Sequence, residues 1–378
     1  EKIEWIRPIE GADNIELIGV LGWVCIAKKG EFNVGDMAVY IEIDSKCPET
    51  DERFAFLANK KFKVKTMKLG KFKVISQGLA LPLSLFPELQ DKKIGDDVTE
   101  ALKITYASEE DAARKTNKID PNAKYKSMAK RRPKLFANPI VRRIMRYSIG
   151  RKIMFMLFGR KKDNPKKFPD WIVKTDETRI ENAPFYLQST EKWIKTEKCD
   201  GTSCTFAVDR LKKGKNKFDF IVCSRNVRQA DRDQACYHDS NIYWELADKY
   251  DIEKILTQFA TENNYNRVVL QGEGVGSVQG NPYKFTENKL FVFNLIIDGT
   301  RLGTVEMADF CKKLGLTSVP IIDTAYELPK TMEEMKLEAD GYSELNPKVK
   351  REGFVYRSID GQQSFKNVSR EYLLRHNG

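Results

Sequence analysis

Between Arg114 and Lys167 the chain carries 19 Lys and Arg against only Asp120 and Asp163, a local balance of +17 within a total of +11. The rest of the chain therefore sums to −6, and the basicity belongs to one segment. Pro121, Pro133, Pro139, Pro165 and Pro169 punctuate the same region, each removing a backbone donor and interrupting any helix it meets. Such a stretch forms neither a core nor one long element, so it divides the chain into a unit over residues 1–100, a basic helical linker over 101–170 and a second unit over 171–378. Concentrated positive charge attracts phosphate backbones in a salt-dependent way. Ile140 to Tyr147 and Ile153 to Phe158 are also amphipathic, so a solvated linker or a membrane-surface helix are the competing readings.

With 378 residues, 41% of them hydrophobic, the chain can bury a core in each flanking unit. It contains no run of about 18 apolar residues and no leader pattern after Glu1, so a cytoplasmic protein is expected. The seven cysteines form no Cys-x-x-Cys pair, and the odd count fits reduced thiols. Cys236 and His238 are poorly spaced for zinc.

In the first unit, Leu17–Ala27, Met37–Ile43, Lys61–Met67 and Lys73–Leu81 read as short strands separated by Gly30, Gly35, Pro48 and Gly70. Four or five strands in this length fit a small closed barrel of the oligonucleotide-binding (OB) kind. In Lys61-Phe-Lys-Val-Lys65 a strand would set the lysines on one face and Phe62 and Val64 in the core. That lysine face suits either a phosphate backbone or plain solvent.

The second unit alternates strands with helices expected at Ile242–Asn263, Thr304–Leu314 and Thr331–Ala339, an α+β pattern. No phosphate-binding Gly-x-x-x-x-Gly-Lys-Ser/Thr loop occurs. Lys198-Cys-Asp200-Gly201 lies between two short strand patterns, Glu191–Lys198 and Ser203–Val208. Alone, it is equally the pattern of a charged hairpin tip. Further polar residues stand at the edges of apolar runs: Ser224-Arg225-Asn226, Val268 to Gly274 with Glu273, Lys289 to Ile297 with Phe293, Arg351-Glu352-Gly353 to Arg357, and Ser364-Phe365-Lys366.

In this order, the six segments resemble motifs I, Ia, III, IIIa, IV and V of the covalent nucleotidyltransferases, the superfamily of polynucleotide ligases and capping enzymes. The closer resemblance is to ATP-dependent RNA ligases of the Naegleria type, whose OB barrel precedes the catalytic domain. Lys174 to Asn182 is similar to their lead-in segment, and Gly35 to Ser45 with Ser76 to Leu79 to their N-terminal module. The implied fold is α+β: an N-terminal OB-fold β-barrel and a C-terminal nucleotidyltransferase domain with ATP-grasp-like antiparallel sheets and helices. DNA ligases and capping enzymes continue into a C-terminal barrel, for which the 12 residues after Lys366 leave no room. RNA ligation is therefore expected ahead of DNA ligation, guanylyl transfer or a purely nucleic-acid-binding role.

The resemblance implies that Lys198 attacks the α-phosphorus of ATP and carries AMP, which passes to an RNA 5′-phosphate and is displaced by a 3′-hydroxyl. A solvated lysine gives up its proton at pH 7 at a cost of about 4.6 kcal/mol, so nearby positive charge, from Lys366 and Mg2+ or Mn2+, is expected to lower its pKa. Asp200, Glu273 and Glu352 would surround that cation, largely through its water. Arg179 is assigned to a phosphate, Arg225 to ribose or phosphate, Glu273 also to the ribose, Phe293 to adenine, the main chain at Glu197 to the base edge, and Gly201 to nucleotide clearance. Phe293 by itself reads as core, whereas Glu273 and Glu352 beside glycines read as functional. RNA ligases often carry Lys-x-Lys in the last motif; here Ser364 replaces the first lysine, and Arg357 or Arg370 are the candidates to compensate. A monomer acting on RNA ends without a membrane is expected, with repair of broken RNA as its role.

Overall fold

A computed structural model of the chain describes residues 1–106, 133–158, 166–211, 217–229 and 241–376. Cys236, His238 and Pro121 lie outside them. The first unit opens with an antiparallel meander, β1 (Ile3–Pro8), β2 (Ile15–Val20) and β3 (Trp23–Lys28). It continues through β4 (Ala38–Ile41), β5 (Ser45–Lys46), β6 (Met67–Leu69), β7 (Val74–Ser76), β8 (Leu79–Pro82) and β9 (Thr105–Tyr106). Strands β4 and β8, β5 and β9, and β6 and β7 pair.

Several expected strands differ in detail. Leu17–Ala27 is a hairpin, because Leu21 adopts φ 53° and reverses the chain, and Lys73–Leu81 breaks at Gly78, φ 102°. Lys61–Met67 is mostly loop: Lys61 ends a 3-10 helix (Glu52–Lys60) in the left-handed conformation, and Phe62 follows at φ 59°. The inward side of the alternation survives, since Val64 is 3% exposed and Phe62 packs on the same cluster as Phe54 and Phe86.

In the basic segment, Pro133 and Pro139 start helices rather than ending them, where a missing N–H costs nothing. The helices are α1 (Pro133–Ala137), α2 (Pro139–Arg146) and α3 (Ser148–Phe158). They leave Ile140, Tyr147, Ile149 and Met156 exposed.

The second unit contains two facing sheets. The larger has eight strands, with path β10 (Lys166–Lys167), β15 (Val227–Arg228), β14 (Phe218–Cys223), β13 (Thr202–Arg210), β16 (Arg267–Val275), β17 (Lys289–Ile297) and β18 (Thr300–Arg301), plus β19 (Thr317–Ser318) beside β17. The smaller has five: β11 (Thr178–Arg179), β22 (Ser364–Val368), β21 (Gly353–Ser358), β12 (Trp193–Lys198) and β20 (Ile321–Tyr326). Most neighbours are antiparallel; β11 with β22 and β17 with β19 are parallel.

Each sheet buries its outer face. Phe206, Val208, Leu270 and Val292 of the large sheet meet Leu246, Leu256 and Met307 of α4 (Ile242–Lys249), α5 (Ile252–Glu262) and α6 (Thr304–Lys313). The helix expected over Ile242–Asn263 breaks in two because Asp251 takes φ 48°. On the small sheet, Trp193, Phe354, Tyr356 and Phe365 pack with Met335 of α7 (Met332–Ala339). Thr331 caps α7 through a reciprocal bond with Glu334, the Thr-x-x-Glu signature.

Helix α8 (Arg370–His376) lies at the barrel seam, where Leu373 and Val368 join Trp23 and Ile43 in one buried cluster. Trp23 Nε1 donates to Asn182 Oδ1 at 2.6 Å, Asn182 donates to Glu42 at 2.7 Å, and the Gly22 N–H donates to Glu181 O at 2.8 Å. Lys336 and Glu181 form a buried ion pair beneath Trp23.

Phe365 is fully buried, with ring centroids 4.9 Å from Tyr356 and 5.0 Å from Tyr186. Phe365→Ala is expected to cost about 3–5 kcal/mol, measured by the urea midpoint; a loss below 1 kcal/mol would contradict this packing.

Candidate active site

The segment Cys199–Gly201 carries the chain from the small sheet into the large one, because β12 ends at Lys198 and β13 begins at Thr202. The Lys-x-Asp-Gly segment is thus a crossover between sheets and not a hairpin tip. Side chains alternate across a strand, so Lys198 shares the inner face of the small sheet with Val355, Arg357, Ser364 and Lys366, opposite the buried Phe354, Tyr356 and Phe365. Glu273 faces Ser203 and Phe291 in register and projects from the inner face of the large sheet. The crossover brings these two faces together.

Glycines permit the close approach. A Cβ on Gly201 would overlap the Gly274 carbonyl oxygen and stand 2.8 Å from Val275 Cγ1. Gly201 is therefore required first by strand contact, a reason distinct from nucleotide clearance. Gly353, at φ 151°, leaves no room for a Cβ against the Asn367 carbonyl, and this turn directs Glu352 toward Lys198.

Lys198 Nζ lies 2.8 Å from Glu352 Oε1. Burial pushes Lys198 down, but Glu352, Glu273 and Asp200 together outweigh it and hold its pKa above the ordinary lysine value. Among the protein's own groups three carboxylates dominate around Lys198, and Lys366 bonds another acid, Asp176. Burial raises Glu352 despite Lys198, and raises Glu273 to about 8, with Glu352 and Asp200 adding to the shift.

When ionised, the three acids exceed the Lys198 charge by two, which one divalent cation would balance. Among the described residues no group of three or more His, Cys, Asp or Glu side chains is close enough to hold a metal directly. This donor set suits a hydrated ion held by carboxylates through water.

Asp200 is fixed from two sides. Its backbone N–H donates to Tyr283 Oη at 2.7 Å, and its Oδ1 accepts from Tyr372 Oη at 3.0 Å. Glu197 points to the opposite face of β12, where its carboxylate accepts from Ser343 Oγ and from the Glu344 N–H at 2.7 Å. Its own N–H donates to Pro320 O at 2.9 Å, and its main-chain carbonyl lies 4.0 Å from Cys199 Sγ.

Lys366 and Arg225 approach the cleft from different sheets and meet on Asp176. Lys366 Nζ donates to Oδ1 at 2.8 Å and Arg225 Nη2 to Oδ2 at 2.5 Å. Burial pushes Asp176 up, but these two cations prevail and hold it below its ordinary range. Burial is the main cause lowering Lys366, against the pull of Asp176.

Phe293 stands at a β-bulge: Val292 pairs with Gly272 and Asn294 with Gln271, leaving Phe293 unpaired. The bulge turns it toward Cys199, Tyr283 and Phe291, where it is only partly buried, unlike a core phenylalanine.

Arg179 does not join the Lys198 group. It neighbours Lys366 in register, but its guanidinium bonds Asp44 of the barrel at 3.3 Å and lies 5.7 Å from the Trp23 ring. The carboxylate and the aromatic face hold it at the seam, while its Nη1 is buried without a hydrogen-bond partner. Arg357 stands opposite Ser364, yet both bond Glu177, with Arg357 Nη2 at 3.0 Å and only 4% of its side chain exposed. Arg357 Nη2 is thus held by Glu177, while its Nε and Nη1 are buried without a hydrogen-bond partner. Arg370 opens α8, and its Nε is buried without a hydrogen-bond partner.

Asp176, Glu177, Tyr283, Ser343 and Tyr372 are site residues that local pattern does not reveal. Asp176 and Glu177 at least lie in the Lys174–Asn182 lead-in; Tyr283 and Tyr372 carry no motif and arrive by tertiary packing alone.

Gly353→Ala is expected to lower stability by more than about 2 kcal/mol through backbone strain and overlap. Denaturation measures this, and an unchanged midpoint would contradict the turn at Glu352.

Comparison with known proteins matches residues 1–83 to an OB-fold domain model and residues 191–369 to an RNA ligase model. Solved structures of the Naegleria gruberi RNA ligase superpose along the whole chain. A mutant with ATP and Mn is 29% identical with TM-score 0.74, over 99% of this chain and 97% of that one. The form with PPi is 30% identical, TM-score 0.73, over 99% and 97%. A mutant with AMP and Mn is 30% identical, TM-score 0.75, over 99% and 97%. No curated protein sequence matches. The OB-fold barrel, the paired sheets meeting at Lys198 and these whole-chain matches place the protein in the RNA ligase family, in the Naegleria-type arrangement with the barrel ahead of the nucleotidyltransferase domain.

Proposed function

We propose that the protein is an ATP-dependent ligase joining RNA 3′-hydroxyl and 5′-phosphate ends through a lysyl-AMP on Lys198 and an RNA-adenylate, acting in nick sealing or RNA repair. The observation that carries this reading is Lys198 Nζ between two sheets, 2.8 Å from Glu352 within a group of three carboxylates. Mg2+ or Mn2+ would supply charge neutralisation of the phosphates and of the acids Asp200, Glu273 and Glu352.

With its proton passed to water, the Lys198 amine would attack the ATP α-phosphorus, the N–P bond forming as the P–O bond to the leaving pyrophosphate breaks. Lys366 and Arg225 meet the phosphate or ribose oxygens from opposite walls. Glu273 takes the ribose hydroxyl, the bulge-directed Phe293 stacks on adenine, and the Glu197 carbonyl reads the base edge. Arg179 keeps the barrel edge beside Lys366.

The barrel lysines and the basic segment would hold RNA through its phosphates, giving affinity with little sequence preference. The enzyme is read as a cytoplasmic monomer.

Label from α-labelled ATP is expected on the wild-type chain with magnesium or manganese, and none on Lys198→Met. Label from GTP, or none from either nucleotide, would reject the reading. Phe293→Ala should raise the KM for ATP roughly tenfold, the value of about 1–3 kcal/mol per stacked base. Nick sealing is expected when the 3′-terminal sugar is ribose; sealing confined to deoxyribose would reject an RNA substrate.

A further inference from the structure

The acidic group at Lys198 is not spaced by its own sheets alone. Helix α8 reaches one of its carboxylates, and the residue before the helix holds the backbone of another. The Ser369 N–H, immediately before α8, donates to Glu352 O at 2.8 Å, and Tyr372 Oη, one turn on, donates to Asp200 Oδ1 at 3.0 Å. The start of the helix is itself anchored: Ser369 Oγ donates to Asp340 at 2.8 Å, and the Tyr372 N–H donates to Ser369 Oγ at 3.2 Å.

The other side of the helix belongs to the barrel seam, where Leu373 packs with Trp23 and Ile43, and the Tyr372 ring lies on the same cluster. Tyr372 also stacks on His376 at a centroid distance of 4.0 Å. A phenol held by packing on one side presents its hydroxyl at a nearly fixed point, and a carboxylate oxygen bonded to it loses rotational freedom.

We propose that Tyr372 is a positioning residue: its hydroxyl holds Oδ1 of Asp200, whose Oδ2 lies 4.0 Å from His376 Nε2 on the same helix, so that α8 sets the carboxylate that would take up a water of a divalent cation and links its orientation to the seated barrel. This rests on the ligase reading above. Tyr283 fixes the Asp200 backbone but not its carboxylate, so the two tyrosines have separate tasks. Partners that orient metal-binding groups commonly contribute 10–100-fold to metal affinity, and contact through water places this case at the lower end.

The test compares the full-length wild type with Tyr372→Phe, which keeps the ring and loses the O–H, and Tyr372→Leu, with circular dichroism confirming that each is folded. Mn2+ binding is read without ATP from the electron paramagnetic resonance signal of free Mn2+, and AMP labelling is titrated separately with Mn2+ and with ATP. Expected are a three- to tenfold weaker Mn2+ half-saturation in Tyr372→Phe by both readouts and a KM for ATP within twofold of wild type. Unchanged Mn2+ binding in Tyr372→Phe, a loss only in Tyr372→Leu, or a wild type that binds no Mn2+ without ATP would each overturn the proposal. A wild type that binds Mn2+ but takes no label from ATP would instead overturn the ligase reading.

Discussion

The site depends on one crossing of the chain, from β12 of the small sheet to β13 of the large one. A sheet pair joined by a loose loop would leave Lys198 and Glu273 at variable separation. Here the link is three residues long, and Gly201 lies so close to Gly274 that no side chain fits. The backbone contact holds the small sheet's lysine over the large sheet's carboxylate. The same device recurs at Gly353, whose left-handed conformation brings Glu352 to the other side of Lys198.

Electrostatics follow from that closeness. Three acids and one lysine share a buried cleft, where burial and the neighbouring acids push Glu273 and Glu352 up and Lys198 pulls them down. The three acids together hold the proton on Lys198 more firmly than water would. Across the cleft Asp176 does the complementary task, satisfying Lys366 and Arg225 so that two cations from different sheets stay together.

The barrel is not a loosely appended module. Trp23 contributes to a buried cluster with Val368 and Leu373 and hydrogen-bonds Asn182, while Arg179 leaves the cleft to bond Asp44. The lead-in segment therefore serves two ends at once: Asp176 and Glu177 face the cleft, and Arg179 to Asn182 face the barrel. Such shared use gives the barrel seam and the cleft one common segment.

Much of this was legible from residues in order. Apolar alternation marked the strands carrying Lys198, Glu273, Phe293, Glu352 and Lys366, and glycines beside the acids marked where backbone comes close. Helical apolar spacing marked α6 and α7 to within a residue or so. What local pattern could not reveal was anything set by a contact between distant segments. Leu21 and Asp251 take left-handed conformations that split an expected strand and an expected helix. The bulge that turns Phe293 exists only because β16 and β17 pair out of step. Arg179 and Arg357 look like free cations in the sequence, yet Asp44 and Glu177, brought near by folding, claim them. The chemistry available was written in residue type and spacing, because alternation and glycine act locally. Which charge meets which was decided by tertiary structure, because Coulomb energy and burial depend on distance in space and not along the chain.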